Sequence, residues 1–345
     1  MKQTHFQVKL EYQMLEKVQA VIAEVAGKFG DSRVDYFVVS AEITPTQTIK
    51  ISGTVLDAET RDYLITQLTA HFPETQFAFA VTILRHPAVK TMTVTTNLAS
   101  VQREPSRRME RITQLVNGQP VEVLREDGEW VFTRQTDGYL GWVLKAYLAI
   151  IAPLEPTHIV TEPIGLLRVA PTAATGLVSR VLGGTCVSVV ATDADWVQLV
   201  LAGEQAGWLP AANLRALASL PEDQVGRRAQ IAQDAPRLVG VPYRWGGCSA
   251  MGIDCSGFAQ LLHKWVGVTI PRDADMQFAA GRVVADDFAV GDLLFFGRKT
   301  TSKRTVTHVA VSLGGWKIIH SSGSLNGVYV DDVQSNQWLR ENFLG

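Results

Sequence analysis

Three side chains in the last third of the sequence have the right types to perform nucleophilic chemistry together: Cys255, His308 and His320. Cys255 lies where a loop meets the start of a predicted helix. The free N–H groups at a helix N-terminus favour a thiolate, which is the form of cysteine that attacks a carbonyl carbon. The same N–H groups could hold the oxyanion of a tetrahedral intermediate. We therefore interpret Cys255 as a candidate nucleophile.

The two histidines are predicted on consecutive strands, so a hairpin would place their imidazoles side by side. One would then act as base toward Cys255, and the other would fix its tautomer, as Asp or Asn does in other triads. Three alternatives stay open at this point. The residues could be inert core side chains, they could ligate zinc despite lacking the short spacing of structural sites, or Cys255 could form a disulfide with Cys248, which a cytosolic setting disfavours.

The elements around these residues predict an α+β domain. Apolar spacing predicts a helix over 222–239 and a second helix that begins near Cys255. Strand-like runs follow at 292–296, 307–312, 317–320 and 328–330. A helical part followed by an antiparallel sheet is typical of the α+β class.

The middle of the chain contains an internal repeat with a period of 66 residues. The repeated positions are Gly118 and Gly184, Trp130 and Trp196, Trp142 and Trp208, and Leu148 and Leu214. Short strand-like runs and turn residues separate them, which predicts two small β-barrels in tandem. Gly-Trp-Val at 141–143 and Gly-Trp-Leu at 207–209 resemble the ends of bacterial SH3 domains, in which such tryptophans fill the barrel core.

The first segment is predicted as a small α/β sandwich with the order β-α-β-β-α-β. Its strands are expected at 4–10, 36–39, 49–51 and 77–84, and its helices at 14–30 and 58–71. The run 51–55 and the helix after it resemble the BON fold of envelope-associated proteins. No catalytic set of residues is found there, so we expect a docking or spacer role.

Composition excludes several function classes. Hydrophobic residues make up 46% of the 345-residue chain, which is enough for packed cores, and the net charge is -2. A near-neutral chain lacks the electrostatic attraction to a phosphate backbone, so no nucleic-acid partner is expected. The sequence shows no apolar run long enough for a membrane span and no signal peptide, from which we expect a cytoplasmic location. The expected state is a monomer.

These observations predict a multidomain α+β protein of four domains. The predicted domains are 1–86, a small BON-like α/β domain; 87–152 and 153–218, two SH3-like β-barrels; and 219–345, the domain with the Cys/His residues.

The last domain resembles the NlpC/P60 family. The resemblance is carried by residues 241–247, 254–258, 270–273 with Gln277, 291–296, 307–310 and His320. It implies a papain-like fold and a cysteine endopeptidase without cofactor or metal that acts on peptidoglycan stem peptides. By motif, Cys255 would be the nucleophile, His308 the base, His320 the orienting residue and Tyr243 an oxyanion donor. The side chains implied to line the cleft for L-Ala-γ-D-Glu are Asp254, Ser256, Arg272 and Asp273.

Tandem SH3 domains before this domain are similar to the architecture of γ-D-glutamyl-L-diamino acid endopeptidases. There the first SH3 domain closes one end of the groove and recognises a free N-terminal L-Ala, and Glu104 and Tyr139 lie in the corresponding parts of this sequence. The resemblance therefore implies cleavage of free murein tri- and tetrapeptides at the γ-D-Glu–diamino acid bond. The alternatives are a non-catalytic protein that binds the cell wall or a partner through its SH3 domains, and a thiol acyltransferase.

Overall fold

The fold is described from a computed structural model. It describes residues 2–152, 155–203, 205–285, 287–300 and 304–345, without the side chains of residues 2–11. The chain divides into two compact units. The first contains residues 1–90, 122–127 and 132–140, and the second contains the remainder.

A small α/β layer makes up most of the first unit. Its elements are α1 (Lys2–Lys28), β1 (Phe37–Ile43), β2 (Ile49–Val55), α2 (Ala58–His71) and β3 (Phe77–Ile83). The strands form one sheet in the order β1-β2-β3; β1 pairs antiparallel to β2, and α2 connects β2 to its parallel neighbour β3. Both helices pack on the sheet in one apolar core, to which α1 contributes Val18, α2 contributes Leu64 and β2 contributes Ile51.

The strand predicted at 4–10 is wrong, because α1 runs through it without interruption. The reason is visible in the spacing of apolar residues. Phe6, Leu10, Met14 and Val18 recur every four residues, which is a helical period that continues into the buried part of α1. The order of the first unit is therefore α-β-β-α-β.

The internal repeat is a repeat of secondary structure. The first set of strands is β4 (Lys90–Val94), β5 (Leu98–Gln102), β6 (Arg111–Val116), β7 (Pro120–Asp127), β8 (Trp130–Arg134), β9 (Leu140–Leu144) and β10 (Leu148–Ala149). The second set is β11 (His158–Val160), β12 (Ile164–Arg168), β13 (Leu177–Leu182), β14 (Cys186–Asp193), β15 (Trp196–Val200), β16 (Ala206–Pro210) and β17 (Leu214–Ala216). From β5 and β12 onward, the corresponding strands of the two sets begin 66 residues apart.

The repeated residues have structural reasons to recur. Gly118 and Gly184 have φ angles of 81° and 88°, a left-handed conformation that glycine adopts without steric cost. Trp130 and Trp142 are buried, as the prediction of core tryptophans requires. Their counterparts in the second set, Trp196 and Trp208, are only half-buried, so these two tryptophans fill the core of the second set less completely than Trp130 and Trp142 fill the first.

The C-terminal part of the second unit is α+β, as predicted. Its elements are α3 (Gln224–Asp234), β18 (Cys248–Ser249), β19 (Gly252–Ile253), α4 (Cys255–Lys264), α5 (Ala274–Ala280), β20 (Leu293–Lys299), β21 (Arg304–Ser312), β22 (Lys317–Ser322), β23 (Gly327–Asp332) and α6 (Gln337–Asn342). The helix predicted over 222–239 ends early and continues as a 3-10 turn, Ala235–Leu238, because Pro236 has no N–H to donate.

Helix α4 packs on a four-stranded sheet with the order β20-β21-β22-β23. Phe258, Leu262 and Trp265 are fully buried in the same apolar cluster as Val309 and Ile319 from the sheet. This packing brings the first turn of α4 close to β21 and β22. None of the described helices is both long and apolar enough to cross a membrane.

Candidate active site

Cys255 is the first residue of α4, as the sequence predicts. Asp254 caps the helix: its Oδ1 accepts a hydrogen bond from the N–H of Gly257 at 2.7 Å. An Asp at this position satisfies a free N–H of the first turn and fixes where the helix begins. The nucleophile candidate is therefore held at a defined point on a rigid element.

Two backbone groups near the sulfur of Cys255, the N–H of Ser256 in α4 and the N–H of Val309 in β21, act to lower the pKa of its thiol. Both favour a thiolate. Burial opposes them and dominates, and together with the nearby Asp254 carboxylate it raises the pKa of the Cys255 thiol to about 12. The expectation of a lowered thiol pKa is wrong for this structure, because the sulfur is enclosed and the helix terminus alone does not offset the loss of water.

His308 and His320 form a hydrogen-bonded pair. His308 Nε2 lies 2.7 Å from His320 Nδ1, as the hairpin of β21 and β22 predicts. Burial lowers the pKa of His308 to about 3, with the neighbouring His320 adding to the effect, and burial lowers the pKa of His320 to about 4. Both rings are therefore neutral near pH 7, and a neutral ring can accept a proton.

The geometry also decides which nitrogen of His308 can serve Cys255. Its Nε2 is engaged with His320, which leaves Nδ1. The backbone N–H of Val309, the residue that follows His308, reaches the Cys255 sulfur. The structure thus pairs His308 with His320 and places the backbone of Val309, the residue after His308, near the sulfur of Cys255.

Tyr243 lies in the loop before Cys255 and is half-buried. Burial is the main reason that its pKa lies above the ordinary tyrosine value, and the neighbouring Cys255 and Asp254 raise it further. The phenol therefore keeps its proton near neutral pH and can donate a hydrogen bond.

Asp254, Ser256 and Arg272 come together in a buried network. Arg272 donates to both carboxylate oxygens of Asp254, from Nη2 at 2.7 Å and from Nη1 at 3.1 Å, and also from Nη1 to Ser256 Oγ at 2.8 Å. Only 2% of Arg272 is exposed. These contacts fix the side chain of Asp254, which caps α4. That Arg272 contacts the substrate directly stays a prediction. Asp273 is half-buried at the N-terminus of α5.

Strand β6 contributes to the same network, which the sequence did not indicate. Thr113 Oγ1 accepts the Nε–H of Arg272 at 2.9 Å, and Gln114 Oε1 accepts the backbone N–H of Cys248 at 3.0 Å. Glu110, just before β6, accepts the indole N–H of Trp245 at 2.8 Å. No local motif marks Glu110, Thr113 or Gln114, because their partners lie more than 130 residues away along the chain.

Glu104 and Tyr139 differ in their surroundings. Glu104 is exposed in the turn after β5, and within the described chain its carboxylate has no hydrogen-bond or ion-pair partner. Tyr139 belongs to the first unit and is buried, with 3% exposed. Their predicted role in recognising an N-terminal amine stays a prediction.

The two competing roles for Cys255 receive no support from the structure. Cys186, Cys248 and Cys255 are all free thiols, so the disulfide between Cys248 and Cys255 is absent. Across the described residues, no group of three or more His, Cys, Asp or Glu side chains is arranged to hold a metal ion.

Comparison with known proteins gives the family of the chain. Residues 240–344 match the model of the NlpC/P60 family, and residues 99–149 match that of the bacterial SH3 domain. The chain is 32% identical over 222 residues to the gamma-D-glutamyl-L-lysine dipeptidyl-peptidase of Bacillus subtilis (strain 168), covering 61% of this chain and 71% of the relative. The chain belongs to the NlpC/P60 family.

Further relatives match a larger share of the chain. A gamma-D-glutamyl-L-lysine dipeptidyl-peptidase of Bacillus cereus is 28% identical over 243 residues, which cover 66% of this chain and 72% of that protein. The crystal structure of an NlpC/P60 family protein from Bacillus cereus ATCC 10987 matches with a TM-score of 0.66 at 23% identity, covering 74% of this chain and 98% of that one. The NlpC/P60 chain described here therefore shares its fold with a known member, and its relatives support peptidase activity.

Proposed function

We propose that the protein is a cysteine endopeptidase that cleaves the γ-D-Glu–diamino acid bond of murein stem peptides with a free N-terminal L-Ala. The observation that carries the proposal is the arrangement of Cys255, His308 and His320: a thiol at a helix N-terminus near the backbone of the residue after His308, and a neutral His308 imidazole 2.7 Å from that of His320. The names of the relatives support the substrate class.

The first half of the reaction acylates Cys255. His308 Nδ1 accepts the thiol proton as sulfur attacks the γ-carbonyl carbon of D-Glu, forming a tetrahedral oxyanion. The backbone N–H groups at the start of α4 and the Tyr243 phenol are the donors available to that oxyanion. Collapse breaks the C–N bond, and His308 returns the proton to the leaving amine of the diamino acid.

The second half releases the dipeptide. Water loses a proton to His308 and attacks the thioester carbonyl, and the thiolate of Cys255 leaves and regains the proton from His308. The products are L-Ala-γ-D-Glu and the diamino acid, or the peptide that begins with it. Atoms and charge balance without a cofactor.

Recognition of the free amine is proposed for the turn after β5. Glu110 in this region is already committed, because its carboxylate accepts from Trp245 and pairs with Arg103 at 2.7 Å. Glu104 is exposed with no such partner, so its carboxylate is available to a substrate ammonium. A site built around that ammonium would discriminate against acylated peptides, in which the charge is absent.

The test is hydrolysis of L-Ala-γ-D-Glu-L-Lys and its diaminopimelate analogue, each with a free and with an acetylated N-terminus. We expect release of L-Ala-γ-D-Glu from the free peptides and loss of at least about 1,000-fold in kcat/KM for Cys255→Ala, with the fold retained. Unchanged turnover in Cys255→Ala would contradict the proposal.

Glu104→Gln separates amine recognition from catalysis. We expect KM for the free peptide to rise about tenfold, the equivalent of about 1.4 kcal/mol, with little change for the acetylated one. Glu129→Gln, which changes another exposed carboxylate of the same barrel, is the matched control and should leave KM unchanged. Equal cleavage of free and acetylated peptides by the wild type would remove the role of Glu104.

A further inference from the structure

The hydrogen-bond chain that begins at Cys255 leaves one buried nitrogen unused at its far end. His320 is 2% exposed, and its Nδ1 pairs with His308. Its other nitrogen, Nε2, is buried and has no hydrogen-bond partner within the described residues. The carboxylate oxygen Oδ2 of Asp331 faces it at 3.9 Å.

The protons of the two rings follow from the role of His308. If Nδ1 of His308 is to accept the thiol proton, its Nε2 must carry the hydrogen and donate it to His320 Nδ1. His320 must then carry its own hydrogen on Nε2. This places a buried N–H donor opposite a carboxylate, the usual partner of a histidine that orients another group.

Hydrogen bonds hold the carboxylate of Asp331 in a position from which it can act as the acceptor for the Nε2–H of His320. It lies on β23, paired across the sheet with Ile318 of β22, the strand of His320. Asn336 Nδ2 donates to Asp331 Oδ2 at 2.8 Å, and the backbone N–H of Asp332 donates to Oδ1 at 2.7 Å. Two donors thus fix the carboxylate, and a shift of roughly 1 Å would bring it within hydrogen-bond distance of His320.

We propose that Asp331 is a positioning residue that extends the triad to Cys255–His308–His320–Asp331. The proposal rests on the proposed thiol chemistry. Asp331 keeps His320 in its Nε2–H tautomer, which leaves Nδ1 free to accept from His308 and so points the lone pair of His308 toward the thiol. When His308 becomes positively charged during attack, the carboxylate stabilises that charge through His320.

The kinetic test compares three substitutions of Asp331. We expect Asp331→Ala to lower kcat by about 10- to 100-fold with KM unchanged, and Asp331→Asn, which keeps the shape without the charge, to lower it about tenfold. Asp331→Glu keeps the charge on a side chain one methylene longer, and the present separation from His320 Nε2 is 3.9 Å, so it should retain most of kcat. Asp332→Asn is the matched control, since the neighbouring carboxylate accepts from Ser335 instead and should be neutral for kcat.

A second readout does not depend on turnover. Heteronuclear NMR of the histidine rings in the Cys255→Ala background should show His320 as the Nε2–H tautomer, and Asp331→Ala should redistribute that signal. If wild-type protein cleaves no stem peptide, the proposed function fails while this measurement still tests Asp331. An unchanged tautomer together with kcat within twofold of wild type in Asp331→Ala would overturn the proposal. So would equal losses in Asp331→Asn and Asp332→Asn.

Discussion

Burial sets the protonation states of the reacting side chains before substrate arrives. Cys255 has a pKa of about 12 and His308 a pKa of about 3, so the free site contains a neutral thiol and a neutral imidazole. A pre-formed thiolate–imidazolium pair is disfavoured because both charges would lie in a poorly solvated place. The proton is therefore expected to move as the sulfur attacks rather than beforehand.

This resting state predicts how Cys255 titrates. A pKa above the ordinary thiol value of 9.0 means that the protonated form persists as pH rises through 9.0 and is lost only toward 12. The ultraviolet thiolate absorbance of wild type minus that of Cys255→Ala should stay flat through pH 9.0 and rise only above it. The same subtraction in a Cys248→Ala background serves as the control. A rise centred below 9.0 would show a pre-formed thiolate.

The types of the reacting residues were predictable and their electrostatics were not. Cys255 at a helix start and histidines on two consecutive strands follow from spacing and strand pattern, and the structure has Cys255 at the start of α4 and His308 hydrogen-bonded to His320. The direction in which the pKa of the Cys255 thiol shifts depends on what encloses the sulfur, and no local sequence pattern records that. Asp331 was missed for a related reason: it lies on a strand with no motif, and only the pairing of β22 with β23, in which Asp331 lies across from Ile318, brings its carboxylate to 3.9 Å from His320 Nε2.

At the scale of elements, β6 belongs to the scaffold of the active site although it lies in the first barrel. Thr113 is 2% exposed and accepts from Arg272, which in turn grips the carboxylate of Asp254 at the start of α4. The chain from β6 to the nucleophile therefore passes through two buried side chains. Burial of the Arg272 charge is tolerable because four of its hydrogen bonds are made inside the network.

Removing the acceptor on β6 should cost stability. Thr113→Val keeps the shape but leaves the buried Nε–H of Arg272 without its partner, for which we expect a loss of about 1–3 kcal/mol in the free energy of unfolding. Chemical denaturation measures it. Thr192→Val, an exposed threonine on β14, is the matched control and should change the free energy by less than about 0.5 kcal/mol. Equal stability of the two variants would mean that the contact contributes nothing.

The elements themselves were largely predictable, with a clear pattern to the misses. Helix α2 and the start of α4 follow from the periodicity of apolar residues, and their observed bounds agree with the prediction. The strand expected at 4–10 failed because a short run of mixed residues fits both periods, and the helical one wins only when the four-residue spacing beyond it is included. The contact of β6 with α4 depends on tertiary structure alone.

At the scale of the whole second unit, the two barrel sets and the Cys/His domain contact one another through buried polar groups. Asn117 donates to the carbonyl of Ala202 at 3.0 Å and accepts from its N–H at 2.9 Å. Arg215 of β17 donates to the Trp265 carbonyl at 2.7 Å and pairs with Asp234 of α3. The groups that position Cys255 are thus built into a unit with several mutually supporting interfaces.

The contact between the two barrel sets gives the prediction at this scale. Asn117→Ala removes both partners of Ala202 and leaves a buried N–H and a buried carbonyl unsatisfied, so we expect a loss of about 2–4 kcal/mol in the free energy of unfolding. Asn97→Ala is the matched control. Asn97 makes a single side-chain hydrogen bond among the described residues, to Ser179 Oγ at 3.0 Å, and this bond is only partly buried, so the substitution should cost about 1 kcal/mol. Neither residue contacts the triad within the described part of the chain, so kcat of the folded protein should not change.

If Asn117→Ala were no more destabilising than Asn97→Ala, the paired contact to Ala202 would not hold the two sets together. A fall in kcat without a fall in stability would mean instead that the barrel interface acts on Cys255.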